Sequence, residues 1–512
     1  MNKKFTSTVA GASILLTGVG LMSRGLGLIR EVVFAGSFGL GEEFDIYLVG
    51  AVIPMAIDVI ILFLIQNYLI PQYNELLSKS PDQKESFIRT NFWVFSLLGF
   101  ALGLVLYFCS DFIINLYLAG SPKEKQEEAK LIFNIFLLIL PFSAGGSVLI
   151  SFLQNEFDFL TPAIGRLSIN FAIIIIVFFF SSSFGTLIIP VGFVAGMVIQ
   201  FLILLIKTDV KFFTFSVKPI VKHHLKNSLS ANLLIIIIIE SLSQLYAISD
   251  RYFIKSVHEG GIAALSYSQT IFTLPIVTIS VALSTAIFPR FSQNYSSGSM
   301  DELEKQFLSS IRINILIFVP LMFIFFFNGG DIIKIIYQRG KFSPSDTIMT
   351  ADSLRYFSIS LILYSIYTVL NKMIYSLRLV KSLLKITLAG MILKIGLNYL
   401  LVGPLAQNGL ALSTSVSYIF FFSAGFYVVA RAIKFRYQKQ FIADLILHFL
   451  SAAVSYYILF YVCRLDELKS PWIVVFAIAL FAAVYFLNLW ILQTDSVHLI
   501  LNLNKRLKFF RK

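Results

Sequence analysis

The chain has 512 residues, 57% of them hydrophobic and only 13% charged, with 52 phenylalanines and a formal net charge of +13. An ordinary soluble domain is about a quarter charged, so this composition excludes a soluble enzyme and describes an all-α polytopic membrane protein. The positive charge does not mark a nucleic-acid binder: Lys and Arg fall in short clusters between apolar runs, as membrane topology requires, and anionic lipid headgroups are the expected partner.

The opening MNKKFTSTVAGASILLTGVG places Lys3 and Lys4 ahead of an apolar region. The apolar pattern runs on to Phe38 without a small-residue cleavage site, which predicts an uncleaved first helix. Runs of about 20 apolar residues bounded by charges or by Gly and Pro then recur. They predict about fourteen transmembrane helices, near 8–37, 43–73, 90–118, 129–154, 162–182, 186–206, 227–255, 261–289, 307–328, 351–376, 382–402, 408–431, 441–463 and 471–496. Pro141, Pro190, Pro275 and Pro320 are expected to kink helices rather than end them.

With a cytoplasmic N-terminus, Lys and Arg divide roughly 24 to 8 between inside and outside loops, which predicts that both termini are cytoplasmic. The inside clusters include Lys211, Lys218, Lys222 and Lys226, and a basic tail from Lys505 to Lys512. That tail reads either as a short amphipathic helix on the inner leaflet or as a plain basic end.

A shift of 221 residues lays Arg30 on Arg251, Gly39 on Gly260 and Pro54 on Pro275. Six helices separate the copies, so both have one orientation, the parallel kind of transporter repeat. The expected organisation is an N-terminal lobe at 1–225 (helices 1–6), a C-terminal lobe at 226–436 (helices 7–12), and two extra helices with a cytoplasmic tail at 437–512.

Charge inside these segments marks the candidate site. The stretch from Gly18 to Pro54 carries Arg24, Arg30, Glu31 and Asp45, and Asp58 follows. A charge near the bilayer centre costs about 2.5 to 3.5 kcal/mol on insertion scales, so charges that persist there usually face a water-filled pathway. The local alternative is that Arg30 and Glu31 neutralise each other while Arg24 snorkels to the surface. Arg24 and Arg30 are turned roughly 120° apart on a straight helix, and Gly25, Gly27 and Gly36 leave room for a break that turns both inward. On the seventh segment Glu240, Gln244, Ala247 and Arg251 share one helical face, either a cavity stripe or a hydrogen-bonded seam. Lys394 and Asn398 form an i, i+4 pair near mid-membrane, and Asn371 and Lys372 end the tenth helix.

Arginine's planar fork suits phosphate, so Arg24, Arg30 and Arg251 point to a phosphorylated cargo group. Catalysis has no support: there is no Walker motif, no Gly-x-Ser-x-Gly and no His pair at metal spacing. No metal or cofactor is expected. Cys109 and Cys463 lie at or inside apolar runs and suggest neither a disulfide framework nor a metal site. His223, His224, His258, His448 and His498 fall in loops or near helix ends and are expected at the surface.

Several stretches, in order, resemble one family. They are GLMSRGLGLIREVVFAGSFGLGEEFDIYLVGAVIP, DRYFIKSVHEGGIAALSYSQTIFTLP, TAIFPRFS, GKFSPSDTIMTADSLRYFSISLILYS and YSLRLVKSLLKITLAGMILKIGLNYLLVGPLAQNGLALS. Together they are similar to the MurJ (MviN) lipid II flippases of the MOP exporter superfamily. The resemblance implies two six-helix lobes around a central cationic cavity, and two further helices forming a groove for a polyprenyl tail. It also implies alternating access that moves an undecaprenyl-pyrophosphate-linked headgroup outward. Arg24 and Arg30 match the family's two arginines, Glu31 the acid that follows, and Asp45 the acid opening the second helix. Two stretches depart from the family. The second helix has Asp58, Gln66 and Asn67 where the family has an arginine pair and Glu-Gly-Ala-Phe, and the eighth has Tyr267-Ser268-Gln269-Thr270 for Tyr-Ala-Asp-Arg. Arg251 and Lys394 are candidates to replace the missing charge. Some relatives have a sodium site that Asp250 and Asn398 would match, with Lys394 beside them; Glu240 is a further ion-coupling candidate.

The expected function is a lipid II flippase driven by the membrane potential or an ion gradient, with cell-wall synthesis proteins as possible partners. The alternatives are a flippase for a lipid-linked O-antigen or exopolysaccharide unit, a cation-coupled drug antiporter, and a transport-dead scaffold for cell-wall enzymes.

Overall fold

A computed structural model describes residues 9–79, 81–208, 231–462, 471–492 and 494, and among these every regular element is helical. Lys3 and Lys4, the basic cluster from Lys211 to Lys226, the boundary at 225/226, Cys463, His223, His224, His498 and the tail from Lys505 lie outside the described residues.

The first part of the chain forms α1 Val9–Phe38, α2 Glu42–Lys79, α3 Lys84–Phe108, α4 Ser110–Leu118, α5 Lys123–Leu137, α6 Ile139–Asn155, α7 Leu160–Phe184, α8 Ile188–Thr208 and α9 Ala231–Tyr252. The rest forms α10 Gly261–Pro275, α11 Val281–Ser296, α12 Met300–Phe327, α13 Gly329–Tyr337, α14 Pro344–Ser358, α15 Leu361–Ser376, α16 Val380–Leu405, α17 Gln407–Ile433, α18 Gln438–Tyr456 and α19 Pro471–Ile491. Each expected span falls on one helix or one broken helix. The number is another matter. Among the described residues ten helical stretches are long and apolar enough to cross a membrane, or eleven with the pair α14 and α15, bent by 50°. One of the ten, Leu160–Thr208, joins α7 and α8 across a turn, while α1 and α9, which carry site charges, are not among them. Fourteen is therefore not reached on length and apolarity.

The chain divides into two compact units, Met1–Ala263 with Arg339–Ser343, and Ala264–Gln338 with Pro344–Lys512. This division follows contacts, with α9 packing on α2, whereas the lobes at 1–225, 226–436 and 437–512 follow the repeat. The 221-residue shift pairs two glycines of left-handed backbone. Gly39 ends α1 with φ 62° and Gly260 precedes α10 with φ 73°, the left-handed region that glycine enters without a Cβ penalty. Pro54 and Pro275 both lie within helices.

Within the first unit helices approach through small residues, as expected where lipid removes most hydrophobic drive between helices. A Cβ at Gly99 would lie 2.7 Å from the Leu140 carbonyl oxygen, and one at Gly196 would lie 2.7 Å from the Ile169 Cα. Ile65, Leu69, Tyr73, Phe92 and Leu149 form a core among α2, α3 and α6. In the second unit Arg312 Nε donates to Asp444 Oδ2 at 2.6 Å, tying α12 to α18. His448 Nδ1 lies 2.6 Å from the Tyr485 hydroxyl, and Asn488 Nδ2 donates to Ser455 Oγ at 2.9 Å, tying α18 to α19. The surface expectation for His448 is thus corrected. It is fully buried, because α18 begins at Gln438 and places the ring well inside the helix against α19. His258 is exposed.

Candidate transport site

The helix α1 is continuous from Val9 to Phe38. The break that Gly25 and Gly27 allowed does not occur, since an apolar surround penalises every backbone bond left open. Arg24, half-buried, therefore stays on a different face from Arg30. Arg30 Nε and Nη2 donate to Glu31 Oε1 at 3.2 and 2.6 Å, and Nη1 donates to Asn170 Oδ1 at 3.1 Å. The guanidinium also lies 5.7 Å from the Phe34 ring and 5.5 Å from the Phe193 ring, a placement that adds cation–π attraction. The charge of Arg30 is kept inside the unit, and Glu31 offsets it.

This group borders a cavity of about 430 Å³ walled by five helices. Besides Arg30 it is lined by Asp58 of α2, Ser143 of α6, Arg166 and Asn170 of α7, and Gln200 of α8. Asp58 accepts a hydrogen bond from Ser143 and faces the positive charge of Arg166. Arg166, Asn170 and Gln200 are the residues that sequence reasoning missed. Arg166 and Asn170 are an i, i+4 pair, but Arg166 stands close to the start of its span and reads there as an interfacial residue. Gln200 has no signal beyond being polar within an apolar run.

The other candidates collect elsewhere. Asp45 is 2% exposed and accepts the backbone N–H of Ala263 at 2.6 Å, so it caps the first turn of α10. Arg251, 7% exposed, is enclosed by Asp45, Asp250, Tyr47 and Tyr117. Tyr47 is within electrostatic reach of Arg251 and of the charges of Arg30 and Glu31. Close by in sequence, the Gly36 carbonyl accepts the N–H of Lys341 at 2.8 Å. Arg251 thus holds a buried corner of the first unit and does not line the Arg30 cavity. Glu240 accepts a 3.3 Å hydrogen bond from Gln244 one turn along its own helix, and both residues are half-buried.

Lys394 and Asn398 belong to the second unit and are fully buried. The Lys394 ammonium donates to Asn398 Oδ1 at 3.3 Å, the Leu410 carbonyl at 3.2 Å, Ser413 Oγ at 3.0 Å and Thr414 Oγ1 at 2.7 Å. Ser413 in turn bonds Asn398. The cation fills a pocket of oxygens between α16 and α17.

Long apolar helices that keep paired charges and a polar cavity in their interior define a multi-pass membrane transporter. Two solved structures share the fold. One, described as "Lipid II flippase MurJ, inward closed conformation", is similar with a TM-score of 0.81 and 24% identity over 94% of this chain and 100% of that one. The other, an inward-facing multidrug resistance MATE family transporter of the MOP superfamily, gives 0.66 and 16% over 82% and 98%.

The family described as "Lipid II flippase MurJ" matches residues 34–483, and the chain belongs to it. The "Probable lipid II flippase MurJ" of Rickettsia prowazekii is 27% identical over 80% of this chain and 82% of that protein. That of Borreliella burgdorferi is 24% identical over 100% and 99%. The "Lipid II flippase MurJ" of Thermosipho africanus is 27% identical over 79% and 82%.

Proposed function

We propose that this protein moves lipid II, the undecaprenyl-pyrophosphate-linked peptidoglycan precursor, from the cytoplasmic to the outer face of the bacterial inner membrane by alternating access and without catalysis. The observation that carries this reading is the family match across residues 34–483 in a chain whose interior cavity is bordered by the arginine fork of Arg30. Arg24 contacts the pyrophosphate, and Arg30 borders the cavity that takes part of the headgroup. Arg251 and Asp45 act as positioning residues that hold the chain where α10 begins. The two lobes at 1–225 and 226–436 carry the headgroup across, and the last two helices guide the polyprenyl tail. Energy comes from the membrane potential or an ion gradient, with Asp250, Glu240 and Asn398 as candidate coupling residues; the Lys394 ammonium already sits on the Asn398 oxygen. Both termini are cytoplasmic, basic loops meet anionic lipid, and cell-wall synthesis proteins are partners.

Asp58, standing where the resemblance implies an arginine, favours a second reading in which the cargo is another polyprenyl-linked glycan. Depletion in the host, followed by labelling of lipid II on each membrane face, separates the two. Lipid II that accumulates inside, and is exported again with wild type but not with Arg30→Ala, supports the first reading. Unchanged lipid II export with loss of a surface polysaccharide supports the second, and no change in either refutes both.

A further inference from the structure

We propose that the cavity inside the first unit is a subsite for one pyranose ring, an amino sugar of the lipid-linked headgroup, and not for its diphosphate. The proposal rests on the transport reading above. Its first ground is charge. Arg30 is neutralised by Glu31 at 2.6 Å, and Arg166 faces Asp58 as its opposite charge. A diphosphate site would present cations in excess, and a cation site would present oxygens without arginines. What remains is a set of hydrogen-bonding groups of no net charge, which suits a neutral ligand rich in hydroxyls.

The second ground is shape and chemistry. Asp58 can accept hydrogen bonds from vicinal hydroxyls, while Arg166, Gln200 and Ser143 line the same space. Phe142 and Phe201, edge to face with ring centroids 5.4 Å apart, offer the apolar surface on which the C–H face of a sugar packs. A volume of about 430 Å³ falls in the ~300–1,000 Å³ range of small-ligand pockets. It admits a single ring with its substituents, not a disaccharide that carries a peptide. Gly146 opens this room: a Cβ there would meet only the Leu204 Cδ1, at 3.8 Å. A larger side chain at 146 therefore starts into the cavity without a collision at its Cβ.

The test uses the purified full chain in nanodiscs and two probes, a short-chain polyprenyl diphosphate and the same lipid bearing an N-acetylated amino sugar on its diphosphate. Wild type should bind the glycosylated probe roughly tenfold more tightly, the equivalent of one or two net hydrogen bonds. Gly146→Leu should remove that advantage, with bare-lipid affinity and melting temperature retained. Asp58→Asn, which adds no volume, should weaken the glycosylated probe without weakening the bare one. Unaltered glycolipid affinity in both variants overturns the subsite, leaves a cavity that holds water only, and leaves the transport reading standing. Equal weakening of both probes also overturns it. A wild type that binds neither probe overturns the transport reading, and the subsite with it.

Discussion

Arg30 and Glu31 allow the roles of stability and transport to be separated. Their side chains are 23% and 12% exposed and meet at 2.6 Å. Removing one partner of a fully buried pair costs about 3–5 kcal/mol; with this residual exposure Arg30→Ala should cost about 2–3 kcal/mol, mostly because the Glu31 carboxylate loses its counter-charge. Asn170 also loses the Nη1 donor, worth about 1 kcal/mol. Glu31→Ala should cost only about 1–2 kcal/mol, since Arg30 keeps Asn170 and the rings of Phe34 and Phe193. The double variant should therefore be more stable than the sum of the singles by about 1–2 kcal/mol. Detergent melting curves of the four proteins give that coupling, and lipid II export in depleted cells gives function. Both Arg30→Ala proteins should fail to export, including the double variant that folds. Strictly additive melting shifts would show that the pair carries no stability, and a double variant that exports normally would remove Arg30 from the cargo site.

Three further outcomes are expected. Gly196→Val should lower stability by about 1–3 kcal/mol through overpacking, because its Cβ would lie 2.7 Å from the Ile169 Cα, whereas Gly403→Ala, with nothing within 4 Å, should not destabilise; melting temperatures compare them. Thr414→Val removes the 2.7 Å acceptor of the buried Lys394 ammonium and should cost about 1.5–3 kcal/mol, more than Ser417→Ala, whose hydroxyl bonds the Ser413 carbonyl of its own helix. Glu156, just beyond α6, is held below its ordinary value of 4.5 mainly by the hydrogen bond from Lys84, helped by Tyr73 and opposed by partial burial. A depressed carboxyl contributes stability that is complete above its unfolded pKa and is lost as pH falls through the folded one. The melting temperature of wild type should thus approach that of Glu156→Gln only on acidification below about pH 4.5, and a constant difference between the two down to pH 3 would contradict this.

The apolar runs alone determined the class of this protein, its all-helical fold and the place of the long helices, because hydropathy over about 20 residues is a local property; the short α13, Gly329–Tyr337, lies in none of them. Charges inside those runs pointed to Arg24, Arg30, Glu31, Asp45, Glu240, Arg251 and Lys394, and the order of the family-like stretches was enough for the family. How these charges are shared out was decided only by tertiary structure. Arg30 meets Asn170, 140 positions away, Asp45 caps a helix 218 positions on, and Lys394 settles on oxygens of the following helix. His448 looked peripheral in sequence and is buried against Tyr485. Helical periodicity fixes which face a residue occupies, but the partner across that face is set by how helices distant in sequence pack, and no local pattern records it.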